Sequence, residues 1–358
     1  MEFLYGLPLI GLLFQLIAYL IQEIPALGPI ILSLATPIAL GALCGVMCER
    51  SGIVNIGIEG TMLFAAFFGF IAAGFAAQAF PAEPNPAFGA TPALLVGVVA
   101  ALLVALVVSL IHAWLSISIR ADQIISGTII NIFAFGMTGY LNRLIVGANP
   151  NLGAGTFTPY QPPEWLIDIP GVGWIFRMFL QQGPISMSVI VFVAILSLLL
   201  FRSRWGLRTR AVGEHPKAAD TVGINVTRLR YRNVLVAGLL AGLAGAYLTL
   251  EGTGSFQNGM TGGRGFIALA AVIFGRWTPI GAFGAALLFA SATALGFAVN
   301  FNPPTGELEQ LGQILSAIPT DFYAALPYLV TLVVLAGVVG RSVPPAAVGQ
   351  PYAKEGKT

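Results

Sequence analysis

Apolar runs long enough to cross a bilayer follow one another along the whole chain, and the polar interruptions between them carry the information. A helix needs about 20 residues to cross the hydrocarbon layer. Runs of that order lie at 27–48, 61–78, 93–115, 123–144, 185–201, 233–250, 279–299 and 322–339. A less regular one at 3–22 is interrupted by Gln15 and Gln22, and a shorter apolar piece lies at 266–275. Lipid admits only helices or closed barrels, because every backbone group must find its partner inside the protein. The runs are too long and continuous for the alternating strands of a barrel. The predicted fold class is therefore an all-α polytopic membrane protein of about ten transmembrane helices, with residues 1–358 forming one domain.

Two of the interruptions differ from ordinary loops. Residues 51–60, SGIVNIGIEG, precede the apolar piece TMLFAAFFGF, and residues 259–265, GMTGGRG, precede FIALAAVIFG. Helices 2–5 and 7–10 then run in opposite directions, each set with a glycine-rich break at its second helix. That is an inverted-topology repeat, and paired broken helices at matching positions point to a translocation path. Asn55 and Glu59 are the candidate polar lining near the inner end of that path. The alternative is that the glycines only allow close helix crossing. On this topology Arg264 sits at the opposite face from Glu59. In the fifth run Thr128, Asn131, Phe135, Thr138 and Asn142 recur at three- and four-residue spacing and mark one helix face. It is predicted to point away from lipid, and Thr128, Asn131 and Phe135 are further candidates for the substrate pathway.

Composition agrees with burial in lipid: 57% of residues are hydrophobic and 9% charged, against about 25% charged in soluble domains. The placement of the charges says more than their net value of +2. Eight of the 17 Lys and Arg residues fall within residues 202–232, between the sixth and seventh runs. Short basic loops face the cytoplasm. Ten spans with both termini inside leave only Arg143, Arg177 and Arg264 on the outer side. The Gly- and Pro-rich segment 145–183 becomes an external loop. Within the basic loop, Pro216 suits a first helical turn, and the segment from Lys217 ends at Gly223, which predicts a short capped helix.

Little else suggests chemistry. Cys44 and Cys48 lie four apart on one helix face, as packing residues do. His112 lies inside the fourth run and His215 in the basic loop, both best read as satisfied or snorkelling side chains. No catalytic, metal or nucleic-acid motif stands out, and the N-terminal MEFLYGLPLI lacks the basic region and cleavage site of a signal peptide. The phosphate-binding pattern GxxxxGK[ST] is absent, so energy must come from a partner or an ion gradient. In a gradient-driven secondary transporter, Glu59 or Asp122 would carry the coupling proton.

The blocks ERSGIVNIGIEGTMLFAAF, DQIISGTIINIFAFGMTGYL, GLRTRAVGEHPKAADTVGIN, GGRGFIALAAVIFGRWTPIGAFGAALLF and LPYLVTLVVLAGVVGR resemble, in this order, the permease family of bacterial ABC importers for sugars, nucleosides and branched-chain amino acids. More narrowly they resemble the second permease of nucleoside importers that work with a basic-membrane-protein type lipoprotein. The resemblance implies a type II importer-like subunit of the bacterial inner membrane, paired with a second permease, ABC ATPase subunits and an external substrate-binding lipoprotein. ATP and Mg would sit on the ATPase, with no cofactor on this chain. It also implies that residues 202–232 are a cytoplasmic coupling loop, with Gly213, Glu214, Lys217, Ala218, Ala219 and Gly223 contacting the ATPase. There the importer signature E-A-A-x3-G is represented by KAADTVG, with lysine in place of glutamate and no I-x-L-P tail.

Overall fold

The computed structural model describes residues 8–80, 88–301, 304, 309–319, 322, 325, 326, 329 and 342–353. Among these the secondary structure is entirely helical. The helices are α1 (Pro8–Glu49), α2 (Ile58–Ala79), α3 (Pro92–Ala113), α4 (Gln123–Leu141), α5 (Glu164–Ile167), α6 (Gly173–Leu180) and α7 (Pro184–Arg202). They continue with α8 (Arg204–Glu214), α9 (Pro216–Thr221), α10 (Val226–Ala246), α11 (Arg264–Phe274), α12 (Pro279–Phe301) and α13 (Glu309–Ser316). Seven described helices are long and apolar enough to cross a membrane, and α11 is a shorter apolar helix. The chain is an all-α polytopic membrane protein. Most of the tenth predicted span, 322–339, lies outside the described residues.

The contacts divide the chain into two compact units. The first comprises residues 1–35, 160–182 and 287–339. Its core is Tyr19, Leu27, Ala298, Val299 and Leu311. Gln182 Nε2 donates to the Pro29 and Met178 carbonyls at 2.9 Å each. Part of the predicted external loop, carrying α5 and α6, belongs here. The sequence pattern predicts separate helices at 3–22 and 27–48, yet from Pro8 the helix runs unbroken to Glu49. Pro25 removes one donor from the ladder, and the remaining bonds carry the helix past it.

The second unit comprises residues 36–159, 183–286 and 340–358 and holds the candidate site. Its centre is α2, α3 and α10, packed closely on one another. Small residues make this approach possible. A Cβ on Gly97 would lie 2.8 Å from the Gly69 carbonyl, one on Gly242 would lie 2.8 Å from Ala105 Cβ, and one on Gly245 would overlap the Met62 carbonyl. Leu95, Val99, Leu103, Val107 and Ile111 of α3 form an exposed apolar stripe at helical spacing. A stripe of this length has no place on a water-facing monomer and fits a surface in lipid or against another membrane helix.

The basic segment folds as two helices: the short α9 that Pro216 and Gly223 predict, and ahead of it α8, which is not among the helices predicted from the sequence. Ser203 Oγ accepts from Gly206 N at 3.0 Å and opens α8. Pro216 stands in the first turn of α9, and Gly223, at φ +84°, turns the chain out of it. A Cβ strains that left-handed backbone. Val212, Ala219 and Val226 form a small core beneath α9, backed by Tyr352.

Candidate translocation site

Both glycine-rich breaks are unwound backbone next to membrane-spanning helices, between Glu49 and α2 and between Thr253 and α11. Unpaired peptide groups there cost several kcal/mol each in lipid, on the order of a lost hydrogen bond without water to replace it. Side chains from α3 and α4 meet this demand in the first break. Val54 N donates to Gln123 Oε1 at 2.7 Å. His112 Nε2 lies 3.0 Å from the Val54 carbonyl and Nδ1 3.1 Å from Ser126 Oγ. A carbonyl only accepts, so Nε2 carries the proton and Nδ1 accepts from the serine. Asn131 Nδ2 donates to the Ile56 carbonyl at 3.0 Å, and its Oδ1 accepts from Gly60 N at 2.7 Å.

The second break is held from the first. Glu59 Oε1 accepts from Gly263 N at 2.8 Å and Oε2 from Gly265 N at 2.6 Å. The carboxylate thus caps the N-terminus of α11 while standing in the first turn of its own helix α2. Two helix N-termini, each equivalent to about half a positive charge, share one negative side chain. A Cβ on Gly265 would fall 2.6 Å from Glu59 Cα, and one on Gly127 would fall 2.7 Å from Gly57 N. The glycines therefore serve close approach, and the same closeness lets the breaks bind each other.

This corrects the predicted placement of Arg264 at the face opposite Glu59: the residues flanking Arg264 donate to the Glu59 carboxylate. Ten full crossings would put each break at the end of one, whereas α11 has only 11 residues, and its start is bonded to the start of α2. The Arg264 side chain itself turns back to the Met260 and Thr261 carbonyls.

Beside this junction is a groove of about 450 Å³ lined by Glu59, Asn131, Ile132, Phe135, Thr261 and Phe266 among others. Three of the predicted pathway residues, Glu59, Asn131 and Phe135, thus come together. Asn55 and Thr128 are not among its lining residues. Asn55 is buried, with Nδ2 3.9 Å from Cys48 Sγ, and Thr128 Oγ1 donates to the Ile124 carbonyl at 2.9 Å. The buried face of α4 is Gln123, Ser126, Gly127, Ile130, Ala134 and Thr138. It is rotated from the polar face the sequence suggests, and Phe135 is 62% exposed. Polarity marked Asn131 because it binds backbone, and marked Thr128 only because its hydroxyl bonds within its own helix. Asp122, the other candidate proton carrier, accepts from Ile124 N and Ile125 N and caps α4.

At the basic end, Gly213 is buried and Glu214, Lys217, Ala218 and Gly223 are exposed, while Ala219 is 4% exposed and anchors α9. Several polar anchors carry no sequence motif. Glu251 accepts from Ile185 N, Ser186 N and the Ser186 hydroxyl and so caps α7. Glu49 accepts from Trp277 Nε1 at 2.5 Å. Arg50 Nε donates to the Trp277 carbonyl at 2.8 Å. Burial pulls the Arg50 guanidinium below the usual arginine value, the Glu214 carboxylate opposes that shift, and Arg210 adds to it.

Residues 30–338 match the family described as branched-chain amino acid transport system / permease component. The chain belongs to that family. It is 39% identical to the guanosine ABC transporter permease protein NupQ of Bacillus subtilis, over 94% of this chain and 98% of the relative. It is 36% identical to the nucleoside ABC transporter permease protein NupC of Lactococcus lactis, over 89% of this chain and 94% of the relative. Haloferax volcanii TsgC13, provisionally named a glucose ABC transporter permease protein, is 32% identical over 90% of this chain and 95% of the relative. The family and the spans make this a multi-pass ABC transporter permease.

Proposed function

We propose that this chain is the membrane subunit of an ATP-driven importer that moves a nucleoside into the cytoplasm along the groove where the two breaks meet. The meeting of the breaks carries the reading. Two half-helix starts converge on one carboxylate beside a cavity of about 450 Å³, the arrangement that broken-helix transporters place around their path. Both Glu59 oxygens and both Asn131 amide groups are engaged with backbone. The described groove therefore offers apolar and aromatic surface instead of a free charge, which suits a neutral solute. Phe135 and Phe266, 62% and 49% exposed, supply aromatic side chains of the kind on which a nucleobase stacks. The names of NupQ and NupC support the same substrate class, and TsgC13 keeps a simple sugar as the alternative.

On this reading the basic face is cytoplasmic, and residues 214–223 dock on a separate ATPase that holds ATP and Mg. A second permease covers the exposed apolar side of α3 or α4, and an external lipoprotein delivers substrate. Proton coupling is disfavoured, because Glu59 and Asp122 both serve as acceptors for helix-start N–H groups.

The test uses proteoliposomes holding the whole importer, with labelled guanosine and glucose as substrates. ATP-dependent guanosine uptake is expected, and Ala219→Arg with Gly223→Trp should abolish ATPase association while leaving membrane insertion intact. Glucose uptake without guanosine uptake would move the assignment to sugars. Uptake that persists without ATP and collapses with the proton gradient would overturn the importer reading.

A further inference from the structure

Residues 342–353 run across the basic end of the second unit and touch the end of α8, the core under α9, the first break and the end of α11. Ser342 Oγ donates to the Ile273 carbonyl at the C-terminal end of α11, at 2.9 Å. Ala346 N donates to Glu214 Oε2 at 3.1 Å, and Ala347 N to the Gly213 carbonyl at 2.9 Å. Gly349 N donates to the Gly52 carbonyl in the first break at 3.2 Å. Tyr352 packs on the core under α9. Arg230 completes the joint: Nε donates to the Ser51 carbonyl and Nη1 to the Gln350 carbonyl, both at 3.1 Å. Its side chain is 1% exposed.

We propose that this segment is a transmission strap, which passes displacement of the coupling element to both broken helices, with Arg230 and Ala347 as positioning residues. The inference rests on the docking of residues 214–223 proposed above, and adds the route by which that docking reaches the groove. The first break is already held at this end, by the Arg230 bond to the Ser51 carbonyl and by Gly213, where a Cβ would fall 2.3 Å from the Arg50 carbonyl; the strap adds the bonds to Gly52 and to Ile273. With it, one bonded segment joins Gly213, Gly52 and Ile273. Displacement of α9 then acts on the end of α11 and on the start of the break that leads to Glu59. Arg230 Nη2 lies buried against Gly52 with no acceptor. Buried donors are normally paired, and a spare donor lets the joint change register without loss of a bond.

The experiment takes the complete importer with residues 342–358 deleted, and separately with Ala347→Pro, which removes one strap donor. ATPase association, ATP hydrolysis and nucleoside uptake are read together. The strap predicts normal association and continued hydrolysis, with uptake per ATP reduced about tenfold, a common size for coupling between sites. Uptake per ATP unchanged in both variants would overturn the strap while leaving the docking proposal intact. Loss of association in Ala347→Pro would make the segment part of the docking surface and overturn transmission. Ala218→Arg, on the exposed side of α9 and outside the core that seats Tyr352, tests docking alone, so the two failures are distinguishable.

Discussion

Replacing Glu59 with glutamine tests the junction at its centre. The carboxylate accepts two N–H bonds, from Gly263 and Gly265, at 2.8 and 2.6 Å. Glutamine keeps one acceptor and turns an NH2 toward the other N–H, so one charge-assisted bond is lost. Such bonds contribute about 1.5–3 kcal/mol. Loss of the negative charge at two helix starts adds up to about 2 kcal/mol in a partly buried site. Taken with some relaxation, the change is about 2–4 kcal/mol, or about 30- to 700-fold in the population of the closed junction. The purified importer in detergent should melt at a lower temperature, and ATP-dependent uptake should fall by more than tenfold. Glu59→Asp keeps the charge but is one methylene short of spanning both donors, and should lie between. Wild-type melting and uptake in Glu59→Gln would refute the capping argument. A glutamine variant impaired only in the pH dependence of uptake would restore the proton-carrier reading.

Asn131→Leu removes the partner of Gly60 N and of the Ile56 carbonyl. It should destabilise the protein by about 2–4 kcal/mol, since two buried backbone groups lose their bonds, read as a lower melting temperature; unchanged melting would mean that water replaces the amide. Gly245→Leu places a side chain against the Met62 carbonyl and Ala65, where α2 and α10 meet. Overpacking costs about 1–3 kcal/mol or more, so the variant should reach the membrane poorly, and normal yield of folded protein would contradict the tight crossing.

The crossings were legible because lipid demands long apolar runs, and the breaks because glycine, asparagine and glutamate interrupt such runs at cost. The α9 helix was legible from Pro216 and Gly223, whose backbone preferences are local. What satisfies the breaks was not legible. His112, Gln123 and Asn131 stand 58, 69 and 75 residues from the break residues they serve, and Glu59 stands 204 from Gly263. Distance along the chain says nothing about such pairs until the helices are packed. A polar residue in an apolar run therefore signals an obligation to a partner without naming it.

That obligation also explains why polarity is a poor guide to the solute path. In water an asparagine at a cavity wall is free to meet a ligand, because its neighbours can turn to solvent. In lipid the unwound backbone has first claim on it, and Asn131 and Glu59 are taken up by that claim before any solute arrives. On the proposed function, what remains for the solute is the surface no backbone needs, Phe135, Phe266 and Ile132 of the groove. Weak, non-directional contact of that kind suits a path from which the cargo must also depart. In the proposed importer, tight recognition then falls to the outer binding protein, and Asn131 and Glu59 serve transport by holding the two breaks in register.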